Sequence, residues 1–178
     1  SMVDNFRDYA RTPPATLQPL NLNALIAEIL ELYSSDEHLN VFRTNLQPNL
    51  PRELGDATQM RQVVHNLLQN AQDAVAEIRQ EGRSPEIIIE TEAFEYQDAD
   101  NRHRVAVRLI VSDNGPGFDA KLIGRAFEPY VTSKPKGTGL GLPVVKKIIE
   151  EHGGRIELQN RKERSGARIL ILLMKLAN

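Results

Sequence analysis

Cysteine is absent from the 178 residues, and its absence excludes disulfides, thiolate zinc sites and thiol nucleophiles. A reducing compartment fits such a chain without being required by it. Net charge is small: 22 Lys and Arg against 24 Asp and Glu leave −2. That excludes a strongly basic nucleic-acid binder, though not a local basic patch, so nucleic acid is not an expected partner. No apolar run approaches the roughly 18 residues of a membrane helix; the longest, Ile169 to Met174, is strand-sized. A secretory leader is missing too, since Asp4, Arg7 and Asp8 have no apolar core after them. There is no internal repeat and no low-complexity tract. Ser1-Met2 has the look of a cloning remnant, and the chain is read as an excised domain.

What is present is the balance of a folded domain: 40% hydrophobic and 26% charged residues, which argues against disorder. The length is that of about one domain with a core of its own. Phe6, Tyr9 and Ala10 fit the end of a helix that Pro13-Pro14 stops. Leu22, Leu25, Ile26, Ile29, Leu30 and Tyr33 have helical spacing, with Asn21 as N-cap. Val41–Leu46 is expected to be a strand. Asp56–Ile78 carries the strongest helical pattern, with one broad apolar face, Asp56 as cap and Gly82 beyond its end.

Glu86–Glu95 and Arg104–Asp113 read as a hairpin around the polar stretch Tyr96–His103. A short helix is expected over Asp119–Ala126, a loop over 128–139, and a helix over Leu140–His152 closed by Gly153-Gly154. Two strands, Arg155–Gln159 and Ala167–Leu176, finish the chain as a hairpin paired through Arg161–Gly166. This order predicts an α+β fold, a two-layer α/β sandwich: a mixed sheet of about five strands covered on one face by three main helices.

Three constellations carry chemistry. Asn66, Asn70 and Asp73 fall at i, i+4 and i+7 on one helix face. Asn is disfavoured in helix interiors, and its amide oxygen is a hard, neutral ligand suited to Mg²⁺ already carrying phosphate oxygens. Next, Asp113-Asn114-Gly115-Pro116-Gly117 directly succeeds an apolar strand. A carboxylate there can accept a hydrogen bond from the exocyclic amine of adenine and would repel the carbonyl oxygen that guanine offers instead. Gly115 and Gly117 permit positive φ and close backbone approach. Third, Lys134-Pro135-Lys136-Gly137-Thr138-Gly139-Leu140-Gly141-Leu142 runs straight into a helix. Alternating glycines expose backbone N–H groups to an anion, and the helix N-terminus and two lysines add positive charge. Its spacing is neither that of a P-loop nor that of a dinucleotide-binding turn. Taken singly, the first reads more simply as a solvated helix face and the second as a plain turn, and the third reads as readily as a flexible linker. Together and in this order they describe a nucleotide site.

On these residues the chain resembles the ATP-binding catalytic domain of sensor histidine kinases, in the GHKL (Bergerat-fold) superfamily. Gln62 to Ala71 looks like the N box, Asp113 to Phe118 like the G1 box, Ala126 to Tyr130 like the F box, and Gly137 to Leu142 like the G2 box. Val131-Thr132-Ser133-Lys134, a short lid and His152-Gly153-Gly154 resemble the nitrogen-regulation kinases NtrB and NtrY, and Phe6 to Pro13 is similar to the end of the NtrY-like dimerisation helix. The resemblance implies residues 1–16 as the tail of an upstream dimerisation helix and linker, and 17–178 as the ATP-binding domain.

It further implies ATP and Mg²⁺ as cofactors, with Asn70 on the metal. Asn70, Asp73, Asp113, Gly115, Gly117, Phe127, Lys134, Lys136, Gly137, Thr138, Gly139, Leu140 and Gly141 are implied around the nucleotide, with Phe127 anchoring the lid. Asn66 and Lys134 take the catalytic positions. Partners implied are the histidine-bearing dimerisation domain and a response-regulator receiver domain. The implied domain is cytoplasmic and monomeric, within a homodimeric kinase anchored in the bacterial inner membrane.

Two departures stand out. Asp73 replaces the basic residue common three positions after the N-box Asn, and Ala167 replaces a common Thr. The superfamily's ATPases carry Glu at the position of Asn66, and an amide cannot act as general base. Phosphoryl transfer to a histidine is therefore expected rather than hydrolysis. His38, His65, His103 and His152 lack the acceptor pattern of the family, so autophosphorylation is not expected of this chain alone. A GHKL ATPase or serine-directed kinase, and a non-catalytic interaction module, remain the alternatives.

Overall fold

The computed structural model describes residues 13–33, 41–128 and 141–177. Its elements are β1 (Gln18–Leu20), α1 (Leu22–Glu31), β2 (Phe42–Leu46), β3 (Glu53–Gly55), α2 (Ala57–Gln80), β4 (Ile87–Gln97), β5 (His103–Asp113), α3 (Gly141–Glu151), β6 (Arg155–Asn160) and β7 (Ala167–Leu173). Five strands form one mixed sheet in the order β2-β4-β5-β7-β6. Only the β2–β4 pair is parallel; the others are antiparallel.

Strand residues alternate as the period of two requires. Ile87, Ile89, Val107, Leu109, Val111, Ile169, Ile171 and Leu173 are buried and join the side chains of the helices in one core. Leu25, Ile26 and Ile29 of α1, Met60, Val63, Val64, Leu67, Leu68 and Ala71 of α2, and Val144, Val145, Ile148 and Ile149 of α3 complete it. The expected α+β two-layer architecture is what the chain forms.

Local chemistry starts and stops these elements. Asn21 caps α1, its side chain accepting from the Ala24 N–H at 3.0 Å. Asp56 caps α2, with Oδ1 accepting from the Gln59 N–H at 3.1 Å. Each satisfies a donor that the first helical turn would otherwise leave unpaired.

The structure departs from the sequence expectation in two places. Asp119–Ala126 is not an α-helix: it holds a single 3₁₀ turn over Ile123–Arg125. Asp119 instead accepts from the Lys121 N–H two residues on, a turn that competes with helix, and Gly124 lowers the helix propensity of the remaining residues. Conversely, the pairing of β1 with β3 into a small antiparallel sheet was not expected from the sequence.

That small sheet draws the N-terminal segment onto the domain. Thr16 N–H donates to Asp56 Oδ2 at 2.9 Å, and the Gln59 side chain donates to the Pro13 carbonyl at 2.8 Å. The Thr16 N–H is also the main reason the Asp56 carboxyl sits below the usual carboxylate range. The helix end expected for Phe6, Tyr9 and Ala10 lies outside the described residues.

Candidate nucleotide-binding site

The site is assembled where α2 passes the end of β5. Asp113 is the last residue of β5 and is only 3% exposed. Its Oδ1 accepts from the Gly115 N–H at 2.9 Å and the Ala167 N–H at 3.3 Å. A buried carboxylate is held in this way by backbone donors that fix its orientation. Position 167, where the sequence lacks a hydroxyl, contributes through its main chain.

The loop after Asp113 depends on glycine at two points, for different reasons. Gly115 lies against α2, where a Cβ would come within 2.7 Å of the Ala74 carbonyl oxygen. Gly117 has φ +85°, a conformation L side chains rarely adopt. Of the two uses the sequence allowed, positive φ falls to Gly117 and close approach to Gly115. Asn114 ties the loop to the turn after α2. Its side chain donates to the Ser84 carbonyl and accepts from the Glu86 N–H, both at 2.8 Å.

On α2, Asn66 and Asn70 are half-buried, one turn apart on the side of the helix that also carries Ala74. Asp73 is exposed and accepts from Gln69 at 3.1 Å. Its charge also bears on Tyr33, whose hydroxyl is pushed up first by burial and then by Asp73. Tyr33 in turn hydrogen-bonds His65 Nδ1 at 3.1 Å. Past the 3₁₀ turn, Phe127 is half-buried, with Lys146 Nζ 5.0 Å from its ring centroid, a cation–π geometry joining this segment to α3. Gly141 opens α3. Lys134, Lys136, Gly137, Thr138, Gly139 and Leu140 lie outside the described residues.

The donor set fits a magnesium ion carried in on a nucleotide. Among the described residues no group of three or more His, Cys, Asp or Glu could hold a metal by itself. Mg²⁺ bound to phosphates takes only one or two protein ligands and keeps several waters, and the neutral amide of Asn70, half-buried on α2, is a donor of the kind that would hold it.

Sequence reasoning paired β6 with β7 through Arg161–Gly166, as the structure does, but missed what this hairpin holds. Asn160 accepts from the Phe118 N–H at 2.7 Å and donates to the Phe118 carbonyl at 3.1 Å. Arg161 donates to the Asp113 carbonyl at 3.0 Å, and Ser165 to the Gly115 carbonyl at 2.7 Å. The available signal was weak: polar residues bracketing Gly166 read as ordinary turn composition.

Comparison with known proteins shows the family. Residues 55–177 match the family described as histidine kinase-, DNA gyrase B- and HSP90-like ATPases. The sensory histidine kinase/phosphatase NtrB of Rhizobium leguminosarum bv. phaseoli is 33% identical over 177 residues, 96% of this chain and 45% of its own length. The nitrogen regulation protein NtrY of Azorhizobium caulinodans is 34% identical over 97% of this chain and 21% of its own length. The chain thus spans less than half of either curated relative. Among solved structures, the catalytic domain of histidine kinase ThkA superposes with a TM-score of 0.71 at 32% identity, covering 90% of this chain and 96% of that one. ThkA in complex with response regulator protein TrrA gives 0.73 at 29% identity, covering 98% and 46%.

The fold and the family match together define an ATP-binding domain. The chain belongs to the family of histidine kinase-, DNA gyrase B- and HSP90-like ATPases.

Proposed function

We propose that this chain is the catalytic domain of a sensor histidine kinase of the NtrB/NtrY nitrogen-regulation type. It binds ATP with Mg²⁺ and transfers the γ-phosphoryl group to a histidine on a separate dimerisation domain. The observation that carries the reading is Asp113, buried at the end of β5 with Oδ1 on two backbone N–H groups. A carboxylate fixed in this way selects an amine-bearing base.

Asp113 receives the adenine amine, with Gly115 and Gly117 shaping the wall beside it. Asn70, next to Asn66 on α2, ligates the magnesium ion, which when bound offsets phosphate charge. Asp73 lies close to the phosphate end but adds no positive charge. That charge falls to Lys134 and Lys136, with Gly137, Thr138, Gly139, Leu140 and Gly141 around the phosphates. Phe127 anchors the segment that closes over them. With an amide at 66 in place of a carboxylate base, transfer to a histidine is favoured over hydrolysis.

Of the described histidines, His65 meets Tyr33, His103 pairs with Glu95 at the surface and His152 is buried in backbone hydrogen bonds. An acceptor in trans suits these engagements. We assign residues 1–16 to the tail of the dimerisation helix and its linker, and 17–178 to the catalytic domain. The partners are the histidine-bearing dimerisation domain and a response-regulator receiver domain. The domain acts as a monomer at the cytoplasmic side of a homodimeric, inner-membrane kinase. Among the described residues no helix is long and apolar enough to cross a membrane.

The test is a calorimetric titration with ATP and GTP, with and without Mg²⁺, and then incubation with radiolabelled ATP and a histidine-bearing dimerisation domain. Selective, Mg²⁺-dependent ATP binding and label on the added domain are expected. No binding by folded protein, or rapid hydrolysis by the chain alone, would overturn the assignment.

A further inference from the structure

The hairpin joining β6 to β7 grips the loop after Asp113 at three residues. Arg161 holds the carbonyl of Asp113, Ser165 that of Gly115, and Asn160 both the N–H and the carbonyl of Phe118. The Asn160 contact is the unusual one. Its amide pairs with a single residue's backbone as a neighbouring strand would, although this loop belongs to no sheet. It also occupies the space that Gly117 leaves open: a Cβ on Gly117 would meet Asn160 Oδ1 at 2.7 Å. The left-handed turn at Gly117 and the side chain at 160 are therefore a matched pair.

The other end of the same short loop carries the Gly115 N–H that orients Asp113 Oδ1. Release of Phe118 frees one end of a short span whose other end is one of the carboxylate's two backbone donors.

We infer that Asn160 is a positioning residue for base selection: it holds Gly117 and Phe118 so that the Gly115 N–H keeps the Asp113 carboxylate aimed at the base. This rests on the nucleotide reading of Asp113. Asn160 acts through Phe118 and touches no ligand. A purely structural hydrogen bond would change stability and leave discrimination between bases untouched.

The experiment is made on the whole chain with Asn160→Ala and Asn160→Asp. Hydrogen exchange is measured at the Phe118 amide without nucleotide, and ATP and GTP affinities are measured by calorimetry. Asn160→Ala removes both bonds. Exchange at Phe118 is expected to accelerate about tenfold or more, with ATP affinity falling about tenfold. GTP binding should weaken less, so the preference for ATP narrows. Asn160→Asp keeps the acceptor, loses the donor and should fall between the two, and either variant that folds carries the test alone. A folded variant with the unsubstituted chain's ATP affinity and ATP-to-GTP ratio overturns the positioning role. If the unsubstituted chain itself binds no ATP, the nucleotide reading falls and this role with it. Fast Phe118 exchange in the variant would still show the clamp to be real.

Discussion

The Asp56 backbone N–H donates to Nε2 of His152 at 3.0 Å, joining the start of α2 to the end of α3. The other ring nitrogen, Nδ1, lies 2.8 Å from the Ile148 carbonyl oxygen. Because Nε2 accepts, the Nδ1 side faces the Ile148 carbonyl as donor, and both nitrogens are engaged. His152 is 1% exposed. It thus fastens the two helices through a bond between residues 96 positions apart, and both helices carry the proposed nucleotide site.

His152→Ala therefore removes two buried hydrogen bonds and leaves a cavity. A loss of about 2–4 kcal/mol is expected, measured by urea denaturation at neutral pH. A change below about 0.5 kcal/mol would mean that the two helices are held without it.

Glu53 gives the stability a dependence on pH. Its side chain is buried, Oε1 has no hydrogen-bond partner among the described residues, and burial pushes its carboxyl up to about 8. The folded chain holds this proton while the unfolded chain releases it near 4.5. Stability from this group is complete below about 4.5 and is lost as pH rises toward 8, by at most about 1.4 kcal/mol per pH unit. Glu53→Gln cannot ionise. Denaturation midpoints between pH 5 and 8 should fall more steeply for the unsubstituted chain than for the variant, and parallel curves would refute the assignment.

The elements with a clear period were legible in the sequence. The apolar faces of α1, α2 and α3 repeat at helical spacing, and the long strands alternate, so their boundaries needed only small adjustment. Gln18–Leu20 and Glu53–Gly55 were not legible. Each is three residues long, too short for a period, and is a strand only because the other lies beside it. Asp119–Ala126 misled for the converse reason: its composition permits helix, while the Asp119 turn settles the backbone otherwise. In the site, Asp113 and its glycines stood out because chemistry and turn geometry coincide in one pentapeptide. Asn160 and Arg161 did not. Their partners lie 42 and 48 residues away, and nothing local marks an asparagine at a strand end as a clamp.

Asp113→Ala removes the carboxylate proposed to receive the adenine amine. A charge-assisted hydrogen bond of this kind contributes about 1.5–3 kcal/mol, so ATP affinity should fall about tenfold to a hundredfold by calorimetry. The substitution also strips the Gly115 and Ala167 N–H groups of their acceptor, which should lower the melting temperature as well. Asp113→Asn separates the two effects. It keeps an oxygen for the backbone donors and can present its amide nitrogen to the carbonyl of guanine, so relative affinity should shift toward GTP. Equal affinity of the unsubstituted chain for ATP and GTP would end the base-selection argument.

Asn70→Ala tests the metal ligand. Asn70 is half-buried on α2, and Ala is a better helix former, so the fold should survive with little change in melting temperature. Binding of ATP in the presence of Mg²⁺ should weaken, while binding in EDTA should change little, because only the former uses the amide oxygen. The decisive quantity is the ratio of the two affinities: a collapse toward one in the variant places Asn70 on the metal. An equal loss with and without Mg²⁺ would instead make Asn70 a direct contact to the nucleotide, and no loss in either condition would remove it from the site.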